Sequence, residues 1–222
     1  MGVKSVNNTD RLYWLGRYSE RVYTTLRLYG RSYDEMIEEM EGGYEGFCKS
    51  LDIPNIYTSA ENFKTRYPFD ETDVNSIMSN LIRAYDNAIE LREEIGSEAL
   101  SYIQLAIYAM QKAKTSMSPM IEFQRVLDDI LAFWGIVDDQ ILDENTRNII
   151  KVGKRVERLD LYGRLHLGRE EIDREVRRLE GRIDRCRIRY RKESITALKK
   201  LAEEEKLDYR QIVAEIEKIL EV

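Results

Sequence analysis

The sequence predicts an all-α protein, a helical bundle of six to seven helices with a long C-terminal helix. Three observations predict it. Apolar residues recur at spacings of three and four along most of the chain. Only three prolines, Pro54, Pro68 and Pro119, interrupt 222 residues. Alternating runs of Val, Ile and Thr, the mark of half-buried strands, are absent. With 43% hydrophobic and 34% charged residues, the chain can bury a core and still solvate its surface.

The first helix is expected from Asp10, as N-cap, to about Met40, where Gly42-Gly43 stops it. The stretch from Glu41 to Asp70 holds two prolines and reads as irregular, with room for one short helix. Asp73 can cap the next helix, which runs to Gly96-Ser97, a kink or a break before a further helix to about Met117. Ser118-Pro119 supplies a cap and a proline at the first helical position. Asp143 or Asn145 opens the following helix. From Arg169 to about Glu205, Ile172, Val176, Leu179, Ile183, Cys186 and Tyr190 alternate by four and three, a heptad-like seam extended by Ala197, Leu198 and Leu201. Asp208, with Gln211 three residues on, caps a last short helix. The domain reading is a core over residues 1–168 with residues 169–222 packed on it.

Composition narrows the function classes. The longest apolar run, "ILAFWGIV", is too short to span a membrane, and the N-terminal residues carry neither a secretory nor a myristoylation pattern. The expected compartment is cytoplasmic, where Cys48 and Cys186, far apart and outside any Cys-x-x-Cys, stay reduced. Residues 1–150 hold 15 basic and 25 acidic groups, whereas residues 151–200 hold 17 and 9. A basic segment on an acidic body implies an anionic partner or mutual docking of the two parts.

One pattern occurs twice. Residues 10–27 read "DRLYWLGRYSERVYTTLR" and residues 148–165 read "NIIKVGKRVERLDLYGRL". Each holds a glycine, a base and then Glu-Arg. In the first, Leu12, Leu15, Val22, Leu26 and Tyr29 share one face, with Tyr13, Trp14 and Leu28 on the other, so the helix is a buried one. A stripe of Arg17, Glu20, Thr24 and Arg27 runs along it. In the second, Lys154 stands where Arg17 stands, and Glu157 and Arg164 are spaced like Glu20 and Arg27. Glycine inside a helix costs up to about 1 kcal/mol against alanine, and close approach of a second helix is the return. The expectation is two facing helices that turn their acids and bases to a common spot.

These residues resemble a known family. "LYWLGRYSERVYTTLRL", "NAIELREEIGSE" and "FWGIVDDQ…VGKRVERLDLYGRL" are similar, in that order over residues 8–168, to the bacterial alpha-E domain proteins. The resemblance implies an all-helical fold and a setting beside circularly permuted ATP-grasp ligases and transglutaminase-like proteins, hence a partner in a peptide- or amide-forming system. It carries Asn87, Arg92 and Glu98 over as site positions in the middle block. There the family's flanking arginines are replaced by Tyr85 and Ile89, its serine is replaced by Gly96, and the family's late Asn-Pro-Arg-Ser segment is absent.

The candidate site therefore comprises Arg17, Glu20, Arg21, Arg27, Asn87, Arg92, Glu98, Lys154, Glu157, Arg158 and Arg164, with Glu20 and Glu157 as the candidate bases. Read as a pocket, it takes a zwitterionic or anionic ligand, with arginines forking onto carboxylate or phosphate, and the family setting implies a peptide-like one. Read as structure, it is a buried ion-pair network that fixes helix register. A dimetal site needs Glu-x-x-His on two helices; the one histidine, His166, follows Gly163 by three, so no metal and no cofactor is expected. No phosphate-binding glycine loop or nucleophile elbow is present. Glu175, Glu180 and Asp184 interleave with the arginines of residues 177–191, which argues for a solvated or docked helix face over a nucleic-acid surface. Three functions follow: a binding component of the ligase system, an enzyme of amide-bond or amino-acyl transfer using Glu20 or Glu157, and a structural homo-oligomer through residues 172–201.

Overall fold

A computed structural model describes residues 6–37 and 43–220, with side chains from residue 8 to 33 and from 43 to 220. Ten helices stand among the described residues: α1 (Val6–Ile37), α2 (Gly43–Leu51), α3 (Ala60–Arg66), α4 (Ile77–Glu90), α5 (Arg92–Ala113), α6 (Pro119–Asp139), α7 (Glu144–Arg164), α8 (Arg169–Ile183), α9 (Lys192–Glu203) and α10 (Tyr209–Glu217). The chain divides into two compact units. One joins the segment up to Arg17 to residues 142–222; the other is contiguous, Tyr18–Ile141. The first boundary thus falls inside α1.

The contiguous unit is centred on aromatic side chains. Phe63 and Tyr67 of the α3 region stack at 5.0 Å and are fully buried. Phe47 meets them edge-on, at 5.2 and 4.9 Å, and Tyr29 of α1 is set at right angles to Phe123 of α6 at 5.6 Å. Rings this size let two short helices form where sequence periodicity showed none, because burial supplies what 9 and 7 residues of propensity cannot. α5 packs on both α4 and α6.

In the other unit α7 is the axis. It is buried around most of its circumference and packs on α8 and α10, while α9 joins α8 and α10. Leu12, Leu15, Ile150, Val152, Val156, Ile172, Val176, Leu179, Leu198 and Ile212 form its core. α7 ends in a Schellman turn: His166, at φ 51°, donates to the Gly163 carbonyl and Leu167 to that of Tyr162.

Several element ends differ from expectation. Asp10 lies inside α1 rather than capping it; of the end expected near Met40 with the Gly42-Gly43 stop, Met40 and Gly42 lie outside the described residues and Gly43 opens α2. Ser76, not Asp73, caps α4, accepting from the Ser79 N–H. Asp73 instead makes the preceding turn, its carboxylate taking the Asn75 N–H and its carbonyl the Ser76 N–H. Gly96 does kink α5, at φ 83°. Asp143 caps α7 through the Thr146 N–H, and Asp208 caps α10 through the Gln211 N–H.

The expected long C-terminal helix is three helices. Backbone and side-chain groups of residues 184–191 bond outside the helix axis: Arg187 N–H to the Asn145 side chain, Tyr190 hydroxyl to Asp184, and Arg191 N–H to the Ile219 carbonyl. The heptad seam is split by this turn, and Ile172, Val176, Leu179 and Ile183 are buried in the fold itself.

Candidate functional site

The two motif glycines meet. A Cβ placed on Gly16 would stand 2.0 Å from the Ile150 carbonyl oxygen and 3.0 Å from the Lys154 nitrogen. One placed on Gly153 would stand 2.1 Å from the Tyr13 carbonyl oxygen and 3.1 Å from the Arg17 nitrogen. The contacts are reciprocal: each glycine meets the residue three before the other glycine and the residue one after it. Only glycine lets two helix backbones approach this closely, with α-hydrogens facing carbonyl oxygens.

That crossing delivers a side chain from each helix to the other. Arg17 Nε reaches Glu157 Oε2 at 2.6 Å, where the carboxylate is 1% exposed. The Arg17 guanidinium also lies over Trp14 at 4.9 Å and Tyr13 at 5.8 Å, two rings that meet edge-on. Burial opposes the arginine's charge, but Glu157 outweighs it and holds the guanidinium charged well above its ordinary range. Burial likewise pushes the Tyr13 hydroxyl up to about 12, with Arg17 pulling the other way.

The other expected residues are dispersed. Arg164 lies two turns beyond Glu157 on the same side of α7, where it bonds Asp160, four residues back at 3.2 Å, and Glu217 of α10 at 3.4 Å. Arg158 lies 3.9 Å from Glu175 of α8. Lys154 is half-buried. Within the contiguous unit, Glu20 is fully buried and accepts from the Thr24 hydroxyl at 3.1 Å. Arg21 is half-buried, and Arg27 turns outward over Tyr23 instead of continuing an interior stripe. Asn87 is half-buried near the end of α4, Arg92 is exposed and donates to Ser97 at 3.2 Å, and Glu98 is exposed.

A family model matches residues 7–208 and describes a predicted alpha-helical domain with a conserved ER motif. This chain belongs to the Alpha-E family. It carries the ER pair twice, as Glu20-Arg21 and Glu157-Arg158. No curated protein and no solved structure matches it.

The Alpha-E chain has a second polar centre that the sequence reading passed over. Glu175, 1% exposed, receives Arg155 and Arg178, each at 2.7 Å, and Arg158 at the distance given above. Burial would raise its carboxyl, but the arginines prevail and hold it below the ordinary range. The signal was present: Glu175 sits on the stripe of Ile172, Val176 and Leu179, an acid on an apolar face. Asp160 was legible in the same way, three residues after Glu157. Asn148, Lys151 and Arg155, spaced by three and four on α7, form a further polar row.

The contiguous unit of the Alpha-E chain holds an open cavity of about 520 Å³. Tyr29, Tyr33, Phe69 and Phe123 wall it, Lys64 and Lys114 stand on its rim, and Met117 lies fully exposed beside it. Lys64 is bridged to Glu61 at 2.9 Å and lies over Tyr33 at 5.8 Å. Among the described residues no group of His, Cys, Asp and Glu could hold a metal ion, and no helix is long and apolar enough to cross a membrane.

Proposed function

We propose that this Alpha-E chain is a binding component of an ATP-grasp-linked amide-forming system, taking a peptide-like ligand, and that the paired Glu-Arg helices serve its architecture. The observation that carries the reading is the closure of Arg17 on Glu157 at 2.6 Å with the carboxylate buried. A general base must reach a substrate proton at hydrogen-bond distance, whereas this carboxylate is engaged by a guanidinium that two aromatic rings hold in place.

The aromatic cavity of the contiguous unit supports the binding half. Its volume lies within the usual range for small-molecule sites, roughly 300–1,000 Å³. Aromatic walls suit an apolar or aromatic side chain, and the ammonium groups of Lys64 and Lys114 suit a terminal carboxylate.

Calorimetric titration with short peptides ending in Phe or Leu tests the reading. Saturable binding is expected, weakened at least tenfold by amidating the peptide's C-terminus and by Lys114→Met. Glu157→Gln should leave that binding intact and lower only the melting temperature. An amide-transfer activity of the chain alone, abolished by Glu157→Gln in a protein that stays folded, would overturn it.

A further inference from the structure

Between α8 and α9 the chain runs outside any helix, and Tyr190 pairs with Leu220 in an antiparallel bridge. Three bonds anchor the stretch: Arg187 N–H donates to the Asn145 side chain at 2.6 Å, Arg191 N–H to the Ile219 carbonyl at 2.8 Å, and the Tyr190 hydroxyl to Asp184 at 2.7 Å. Exposure alternates along it. Arg187, Arg189 and Arg191 are exposed, while Cys186, Ile188 and Tyr190 are half-buried. An extended chain turns every second side chain to one side, so these guanidiniums form a row with a repeat of about 6.6 Å. Arg185 before the row and Lys192 after it are exposed as well.

The acids that interleave with arginines in the sequence do not neutralise this row. Glu175 is buried under Arg155 and Arg178, Glu180 is held by Lys199 at 2.9 Å, and Asp184 accepts from Tyr190. Glu144 acts on Arg182, and Glu193 lies past the row on α9. Glu215, whose field reaches Arg191, is bonded by Lys218 at 2.8 Å. Among the described residues, Arg187 and Arg189 have neither a side-chain hydrogen bond nor an ion pair. Like charges at this repeat repel one another, yet the anchors at Asn145, Asp184 and Ile219 keep them in line. A row fixed in this way loses little freedom when a ligand of opposite charge meets it.

We infer that this row is a docking surface for an extended acidic peptide segment of a partner protein, whose alternate carboxylates fall in register with Arg187, Arg189 and Arg191. The repeat selects the occupant. An extended peptide sets alternate side chains at the same spacing, so each carboxylate can take one guanidinium in a forked pair. A single-stranded nucleic acid asks for exposed rings on which its bases stack, and the ring in this stretch, Tyr190, is half-buried and bonded to Asp184. A lipid surface asks for apolar side chains among the cations, and the exposed row carries none. The row belongs to the unit built on α7 and does not depend on what the aromatic cavity binds.

Fluorescence anisotropy of the intact chain with a labelled, end-capped Thr-Glu-Thr-Glu-Thr-Glu-Thr peptide tests this at about 0.15 M salt. Saturable binding is expected, at least threefold tighter than that of the isomer Glu-Thr-Thr-Glu-Thr-Thr-Glu, which has the same charge without the alternation. The double variant Arg187→Gln/Arg189→Gln should weaken the alternating peptide at least tenfold with the melting temperature unchanged, since both side chains are exposed. Arg177→Gln, exposed on α8 and paired to Asp173, should leave binding as it was. No binding, equal binding of the two isomers, or binding that survives the double variant overturns the proposal. Tighter binding of a labelled oligothymidylate of equal charge, lost in the double variant, overturns it in favour of a nucleic-acid surface.

Discussion

Gly16→Ala places a methyl carbon where the structure leaves no room. The new atom would lie 2.0 Å from the Ile150 carbonyl oxygen, and the obstacle is backbone, which cannot rotate away. Carbon and carbonyl oxygen settle at about 3.3 Å, so α1 and α7 must part locally by about 1 Å. A gap of that order forfeits a quarter to a half of each dispersion contact across it, and it stretches the Arg17–Glu157 bond. Overpacking of this kind costs about 3 kcal/mol, while alanine returns up to about 1 kcal/mol of helix propensity. The net expectation is a loss of about 2 kcal/mol. Gly135→Ala is the control: it is also mid-helix, in α6, but its Cβ would meet nothing within 4 Å. That variant should gain about 0.5–1 kcal/mol. Urea denaturation of both, with unchanged slopes, measures the pair. The double variant Gly16→Ala/Gly153→Ala should lose less than the sum, because the first methyl has already opened the crossing. A Gly16→Ala protein as stable as the parent would refute the close approach.

Other expectations follow from individual contacts. Glu157→Gln leaves a buried guanidinium without its carboxylate and should cost about 3 kcal/mol, the lower end for a broken buried pair, because Arg17 keeps 17% exposure; an unchanged denaturation midpoint would contradict it. Asp143→Ala removes the α7 cap on the Thr146 N–H and should cost about 1 kcal/mol by the same measurement. Lys151 titrates near 8 when folded against 10.5 ordinarily, so between those values the unfolded chain binds more protons and this residue's contribution to stability rises with pH. Lys151→Met in chloride buffer should therefore exceed the parent by about 3 kcal/mol at pH 7 and lose that lead by about pH 10.5. Cys48 and Cys186, both raised to about 11 by burial, act in the opposite sense above pH 9, and the difference between variant and parent removes them.

The parts of this fold that were legible in sequence are those written in local chemistry. Gly16 and Gly153 announced a close crossing because glycine inside a buried helix is otherwise unfavourable, and Asp143 and Asp208 announced helix starts. The pairing of Arg17 with Glu157 followed once the two glycines were brought together. What stayed hidden was set by contacts distant in sequence. α2 and α3 have too few turns to show a period, and they exist because Phe47, Phe63 and Tyr67 find one another. The arginines of residues 177–191 looked alike, yet Arg178 and Arg182 are committed to Glu175 and Asn148 while Arg177 is exposed beside Asp173. Arg27 sits seven residues after Glu20, but spacing fixes only direction around the helix axis, and the far end of that direction is solvent.

The split of α1 after Arg17 also orders events in time. Residues 18–141 can bury their rings on one another using neighbours in the chain, so this half can condense as soon as it has been synthesised. The half built on α7 cannot, because Gly153 has no carbonyl to lie against until a segment made more than a hundred residues earlier returns to it. Synthesis from the N-terminus therefore leaves the first turns of α1 waiting, aromatic side chains included, until α7 emerges to receive them.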